Sequence, residues 1–321
     1  MQQRILGQQG LVTSAIGYGS MGITMAYGPS DEQESIAAIR QAHDLGVTMF
    51  DTAELYGWGE GEKILGRAIK GFRDSVVIAS KFGFTPESGF DSRPEHIREV
   101  VDHSLRYLDV DYIDLYYQHR VDPEVPIEEV AGTVKEFIDA GKITYFGLSE
   151  AGPNTIRRAH AVQPVSVLQS EHSLFTRDIE AVFPTLDELG IGFVPYSPLA
   201  RGFLTGGVKP ADQHDSTDAR SYGAVLPWWE PGNFEKNYEI VQRLTAIADA
   251  KDATVAQLAL AWLLAQGDHI VPIPGSRNPR RVAENVAAVD LELTAADLEA
   301  ITAAIGDGPY GARNTEGVTW D

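Results

Sequence analysis

Apolar positions along the chain follow two alternating spacings. Short β-branched or aromatic runs are each followed by a longer stretch in which apolar residues recur every three or four positions. The short runs at 15–16, 47–50, 76–79, 112–118, 145–148, 166–169, 191–196 and 270–272 predict strands. The stretches at 31–45, 62–69, 94–108, 127–140, 154–161, 179–189, 255–265 and 279–288 predict helices, with Ser30 as the first N-cap and Gly46 just past that helix's end. Alternating strand and helix predicts a parallel sheet. Eight such units in roughly 300 residues predict that the sheet closes into a (β/α)8 TIM barrel, an α/β fold. Residues 5–14 read as an N-terminal β-hairpin ahead of the first barrel strand. Residues 198–251 interrupt the pattern with a Gly-, Pro- and Trp-rich loop and an extra helix, and 294–305 form a last helix. No linker or repeat divides the chain, so one domain is expected over 1–321.

Composition narrows the classes of function. A chain of 321 residues buries a large core without staples. Its net charge of −20 repels phosphate backbones, so nucleic acid is not an expected partner. The absence of cysteine excludes disulfides, thiolate catalysis and cysteine metal sites, and no metal is expected. The first ten residues lack the basic flank and apolar run of a secretion signal. The most apolar helical stretch, 254–265, is shorter than the ~18 residues of a membrane span. A cytoplasmic protein with a small-molecule partner is the expectation, and its oligomeric state is open.

One motif misleads. Gly17-Tyr18-Gly19-Ser20-Met21-Gly22 matches G-x-G-x-x-G after a strand-like run. A dinucleotide-binding fold needs a helix to open at the third glycine and an acid about 20 residues on. Here 23–30 reads as loop and the acid that ends the next strand, Asp51, is too far along. A glycine-rich loop at the barrel mouth accounts for the motif.

Side chains at the carboxyl ends of barrel strands point into the active site. The second strand ends at Asp51, the third at Lys81 and the fourth at His119. A lysine ending an apolar strand is costly to bury unless a carboxylate pairs with it, and Asp51 stands one strand over. Tyr56, five residues past Asp51, lies in a loop that can return its phenol over the barrel. A cation within ~4 Å of a phenolate, at an effective dielectric of ~20, contributes about 4 kcal/mol. The phenol pKa would then fall by up to about 3 units from ~10, less what Asp51 screens. That would give a proton donor useful near neutral pH. His119 is placed to hydrogen-bond a substrate oxygen. Taken singly, each of these types is usually an ion pair, packing or surface; here four converge on three neighbouring strand ends.

These residues stand in Asp-Thr-Ala-Glu-Leu-Tyr-Gly (51–57), Ser-Lys-Phe-Gly (80–83) and Tyr-Tyr-Gln-His (116–119). With Gly-Leu-Ser-Glu (147–150), Gln-Ser-Glu-His-Ser-Leu (169–174), Tyr-Ser-Pro-Leu-Ala-Arg-Gly (196–202) and the segment 273–285, they resemble the aldo-keto reductase superfamily over nearly the whole chain. The likeness is to its bacterial, fungal and potassium-channel-β-subunit-like branch more than to the mammalian hydroxysteroid enzymes. The resemblance implies a tetrad of Asp51, Tyr56, Lys81 and His119. Tyr56 would be the general acid, Lys81 and Asp51 would tune it, and His119 would orient the carbonyl. It implies NADPH/NADP+ as cofactor, with Tyr196 under the nicotinamide ring, Ser149 and Gln169 on the carboxamide, and Ser197, Leu199 and Gly202 along the pyrophosphate. Many members carry Asn where this chain has Glu150, which leaves Glu150 outside the expected site, and many carry Lys where it has Gly275.

The cofactor's other end has a physical argument of its own. The segment Ile273-Pro274-Gly275-Ser276-Arg277-Asn278-Pro279 follows the last strand, with Asn278 as N-cap and Pro279 in the first turn. A helix N-terminus there is an anion site. Ser276 and Arg277 add a hydroxyl and a guanidinium suited to a phosphate monoester, so Arg277 is expected to clasp the 2′-phosphate. Arg281, Glu284 and Asn285 lie one and two turns on, toward the adenine. Met25, Tyr27, Trp58, Phe84, Trp228 and Trp229 are expected to rim the mouth, suiting apolar or aromatic carbonyl compounds, and the few residues after Gly306 suggest an open pocket. The leading expectation is an NADPH-dependent reductase of aldehydes and ketones. Two others compete: an NADP(H)-binding regulatory or sensory subunit with little turnover, and a lyase or isomerase using Asp51 or Glu54 as base.

Overall fold

The structure is a computed structural model, and it describes residues 1–87, 89–221 and 226–313. Two antiparallel strands, β1 (Gln3–Leu6) and β2 (Leu11–Ser14), form the N-terminal hairpin. Seven parallel strands follow in simple sequence order: β3 (Tyr18–Gly19), β4 (Met49–Asp51), β5 (Val77–Phe82), β6 (Ile113–Gln118), β7 (Ile143–Ser149), β8 (Val165–Glu171) and β9 (Gly192–Tyr196). The helices between and after them are α1 (Glu32–Asp44), α2 (Glu60–Ile69), α3 (Pro94–Leu108), α4 (Ile127–Asp139), α5 (Pro153–Val162), α6 (Phe183–Leu189), α7 (Asn233–Asp249), α8 (Val255–Leu264), α9 (Pro279–Val286) and α10 (Ala295–Ile305).

The eighth barrel segment, 270–274, closes the sheet without counting as a regular strand. Val271 N donates to Phe193 O (2.9 Å) and Ile273 N to Pro195 O (3.1 Å), while Gly17 N donates to Pro272 O (2.9 Å) on the other side. The sequence Val-Pro-Ile-Pro explains the irregularity. Residues 271 and 273 face β9 and keep their donors, whereas Pro272 and Pro274 face the first strand with carbonyls but no N–H to return. The first strand is also displaced from its expected place, lying at Tyr18–Gly19 instead of 15–16. Its glycines admit the closure. A Cβ on Gly19 would stand 2.8 Å from Ile273 O, and one on Gly275 would run into Gly19 O. The G-x-G-x-x-G run therefore lets two strands approach at the barrel seam.

Met49, Ala79, Leu115, Tyr117, Val167, Val194, Val271 and Ile273 fill the barrel interior, and Leu6 and Leu11 of the hairpin join them. A larger apolar shell lies between sheet and helices. The first helix is capped by Asp31, whose side chain accepts from Glu34 N (2.9 Å). Ser30 is not the cap, because its hydroxyl donates to Ile23 O in the preceding loop. Asn278 caps α9 as expected, accepting from Arg280 N (2.9 Å).

Candidate active site

The carboxyl ends of the strands open into a cleft of about 410 Å³. Asp51 at the end of β4 and Lys81 on the adjacent strand β5 are both buried. The Lys81 ammonium has three donors, and each has an acceptor: Asp51 Oδ1 at 2.5 Å, Thr52 O at 2.7 Å and the Tyr56 phenol oxygen at 3.4 Å. Asp51's second oxygen accepts from Gln169 Nε2 (2.7 Å). Burial pushes the Asp51 carboxyl up and the Lys81 ammonium down, and their contact opposes both shifts.

Tyr56 reaches this pair because the loop after β4 turns back on itself, Tyr56 N donating to Ala53 O and Gly61 N to Tyr56 O. Its phenol is not lowered toward neutrality as the sequence suggested. Burial pushes it up, Asp51 adds to that, and the opposing charge comes chiefly from Arg120. The reason is geometric: the Lys81 charge is shared with Asp51 at closer range. Tyr56 therefore holds its proton at neutral pH, and because its oxygen accepts from Lys81, the O–H is free to donate elsewhere. His119 packs edge-on against Tyr56 and Phe84, with centroids 6.0 and 4.8 Å away. Burial, Lys81 and Arg120 hold its pKa well below the usual histidine value, so the ring is neutral, and its buried Nδ1 has no partner among the described residues.

Every residue expected along the cofactor lines this one cleft: Ser149, Gln169, Tyr196, Ser197, Leu199, Gly202, Gly275, Ser276, Arg277, Arg281, Glu284 and Asn285. Met25, Tyr27 and Phe84 line it too. Three of the expected rim residues do not. Trp58 is 45% exposed and outside the cleft wall. Trp228 and Trp229 are buried in a second apolar cluster with Phe175, Phe203 and Leu244. Their indole N–H groups donate to Gly311 O and Lys209 O, each at 3.1 Å. The 198–251 insertion needs a core of its own, and these rings supply it. Trp229→Ala is expected to cost about 3–5 kcal/mol of stability, the scale for truncating a buried tryptophan. Urea unfolding reads it, and a loss under about 1 kcal/mol would return the ring to a surface role.

Arg277 also departs from expectation. Its guanidinium donates to backbone carbonyls of the loop opposite, Tyr27 O (2.8 Å), Gly28 O (3.2 Å) and Pro29 O (2.5 Å). Ala219 N to Ala26 O (2.9 Å) and the Arg220 guanidinium 4.9 Å from the Tyr27 ring tie the same loop to the insertion. These contacts tie residues 26–29 both to the segment before α9 and to the insertion, with Tyr27, Arg220 and Arg277 in the cleft wall.

Arg120, Tyr18, Arg201 and Arg220 line the cleft but escaped the sequence reading. Arg120 stood beside His119 in the sequence, so a strand-end census carried one residue further would have included it. Nor is the tail after Gly306 idle: Arg313 is buried and pairs with Glu150 (2.7 Å), with Glu171 and Asp178 at 3.7 and 3.5 Å. Glu54 accepts from Gly83 N (2.8 Å) and Phe84 N (3.3 Å), and burial pushes its carboxyl up to about 8. Its carboxylate is held by these backbone donors, and it is absent from the cleft wall that Asp51, Leu55 and Tyr56 line. No group of metal-ligating side chains and no helix long and apolar enough to cross a membrane occurs among the described residues.

The aldo/keto reductase family model matches residues 15–305. A probable aldo-keto reductase of Glycine max is 45% identical over 311 residues, covering 94% of this chain and 88% of the relative. An NADP(+) aldo-keto reductase of Schizosaccharomyces pombe is 43% identical over 315 residues, covering 94% and 92%. Among solved structures, a glycerol dehydrogenase of Gluconobacter oxydans superposes with a TM-score of 0.86 at 28% identity, covering 94% of each chain. An aldo/keto reductase of Klebsiella pneumoniae, solved with NADP and acetate, gives 0.76 at 25% identity, covering 98% and 99%.

Proposed function

The chain belongs to the aldo/keto reductase family, and from that premise we propose that it reduces apolar or aromatic aldehydes and ketones to alcohols with NADPH. One observation carries the reading: a proton donor, its ion pair and a neutral imidazole stand at one end of a single cleft whose other end is a helix N-terminus with free cations. Among the described residues Arg280 and Arg281 have no carboxylate partner, and Arg281 lines the cleft.

The donors lining the cleft suit an extended dinucleotide. Tyr196, Ser149 and Gln169 would hold the nicotinamide, and Ser197, Leu199 and Gly202 the pyrophosphate. Gly275, Ser276, Arg281, Glu284 and Asn285 would hold the adenosine end. When bound, the dihydronicotinamide supplies a hydride to the carbonyl carbon. Tyr56 gives its proton to the carbonyl oxygen, so that C=O gains one hydride and one proton and becomes an alcohol. Lys81, 3.4 Å from the phenol oxygen, stabilises the phenolate left behind. His119, held neutral, orients the carbonyl without competing as an acid. The acceptor's apolar part lies against Met25, Leu55 and Phe84.

Three of Arg277's five donors are held by the loop carbonyls, so we assign the 2′-phosphate chiefly to Ser276, Arg281 and the backbone at α9. Arg277→Ala is then expected to weaken NADPH and NADH alike, by about 10-fold, the scale of one or two lost net hydrogen bonds. Dissociation constants for both cofactors check it, and a loss confined to NADPH would return Arg277 to the phosphate.

A panel of aldehydes, ketones and sugars, read by NADPH absorbance loss, tests the activity. Turnover supports the reductase. NADPH binding with no turnover on any member would favour a sensory subunit instead.

A further inference from the structure

We infer that Arg120 binds the nicotinamide directly, its guanidinium donating to the carboxamide oxygen, a contact that residue 150 cannot make in this chain. The inference rests on the cofactor reading above and concerns a residue outside it.

Arg120 follows β6 and spans three strand ends. Its Nη1 donates to His119 O (2.7 Å) and to Ser149 Oγ (3.1 Å), and its Nη2 lies 3.5 Å from the Tyr196 phenol oxygen. The guanidinium thus sits between the proposed ring platform and the proposed carboxamide subsite, in the wall of the cleft.

The neighbouring arginines are all engaged. Arg201 pairs with Glu171 (2.8 Å), Arg220 with Asp218 (2.6 Å) and Arg313 with Glu150 (2.7 Å), while Arg277 is held by three carbonyls. Among the described residues no carboxylate lies within 4.0 Å of Arg120. A guanidinium has five donors in a fixed fork. Beyond His119, Ser149 and the long contact to the Tyr196 phenol, its remaining donors have no acceptor among the described residues and are open to a ligand in the cleft.

Donor and acceptor accounting identifies the ligand atom. A carboxamide offers two N–H donors and one acceptor oxygen. Gln169 gives its amide N–H to Asp51 Oδ2 (2.7 Å), which leaves its carbonyl oxygen to accept from the carboxamide nitrogen. Ser149 Oγ accepts from Arg120, which fixes the hydroxyl beside the guanidinium and leaves its O–H to donate. The residue after it, Glu150, is a carboxylate and an acceptor only. With φ at 52°, it is turned to accept from Glu171 N (2.9 Å) and from Arg313, and it is absent from the cleft wall. A guanidinium only donates, so the carboxamide atom Arg120 can meet is the oxygen, whose two lone pairs take the Ser149 O–H and the charged Arg120 donor together.

The test is calorimetric titration of wild type and Arg120→Met with two ligands, NADPH and 2′-phospho-ADP-ribose, which is the same molecule without the nicotinamide. A charge-assisted hydrogen bond predicts NADPH weakened roughly 10- to 150-fold. The fragment should change by less than about two-fold, as for contacts at independent sites. Arg120→Lys, which keeps the charge but not the fork, should fall between. Equal losses for the two ligands, or none, would overturn the assignment. Should Arg120→Met fail to fold, Arg120→Lys is titrated alone, and a loss not specific to NADPH overturns it. Wild-type protein that binds neither ligand would instead sink the cofactor reading, and wild-type protein that binds both equally would show that the nicotinamide makes no contact of value.

Discussion

Tyr56→Phe is expected to lower kcat at least about 100-fold, the scale of a lost general acid, while NADPH affinity stays nearly unchanged. The substitution keeps the ring that packs edge-on to His119 and removes only the hydroxyl. That hydroxyl accepts from Lys81 and keeps its own proton, since burial and Asp51 push its pKa up. Without it the carbonyl oxygen has no acid to protonate it, because His119 is held neutral and offers only an orienting N–H. The folded state should tolerate the change, as Lys81 retains Asp51 and Thr52 O. Single-turnover rates with saturating NADPH give the clean reading, and turnover like wild type would refute Tyr56 as the acid.

Lys81→Met is expected to damage both stability and turnover, and the two effects separate. Asp51 is 2% exposed and would lose its cation. Removing one partner of a buried pair costs about 3–5 kcal/mol, and Asp51 would protonate in response. A phenolate forming at 3.4 Å from the vanished ammonium loses about 5 kcal/mol of attraction at an effective dielectric of ~20. Turnover per folded molecule should therefore fall about 100- to 1,000-fold or more. The double variant Asp51→Asn/Lys81→Met removes the stranded carboxylate, so it should recover much of the stability and none of the activity. If turnover per folded molecule survives in the single variant, Lys81 is only a structural ion pair.

The order of strands and helices was legible in the sequence because each element carries a local signature. A buried strand such as β5 opens on the apolar run Val77-Ile78-Ala79, and α9 announces itself through Asn278 and Pro279. The tetrad was legible for a related reason. In a parallel barrel the strand ends share one face, so Asp51, Lys81 and His119, far apart in the chain, are brought together by topology alone.

Residues outside the strands were not legible in this way. Trp228 and Trp229 are aromatic residues in a polar, glycine-rich insertion, and nothing local distinguishes a ring at the cleft mouth from one in a satellite core. Arg277 sits in a phosphate-like motif, yet its partners are carbonyls about 250 positions away in sequence, at Tyr27, Gly28 and Pro29. The same holds for Glu150 and Arg313, separated by 163 positions and joined by one ion pair.

By itself the sequence determined the barrel, its hairpin and the residues at the strand ends, since periodicity and strand order are properties of neighbouring positions. The tertiary structure alone decided how each charge is used. It gave Lys81 three acceptors, kept the Tyr56 proton in place, drew Arg277 onto a loop and left Arg120 with no carboxylate among the described residues. The physical reason is range. Hydrophobic patterning is read over a few residues, whereas a buried charge takes the nearest acceptor in space, and that acceptor comes from whichever loop the fold brings within ~3 Å.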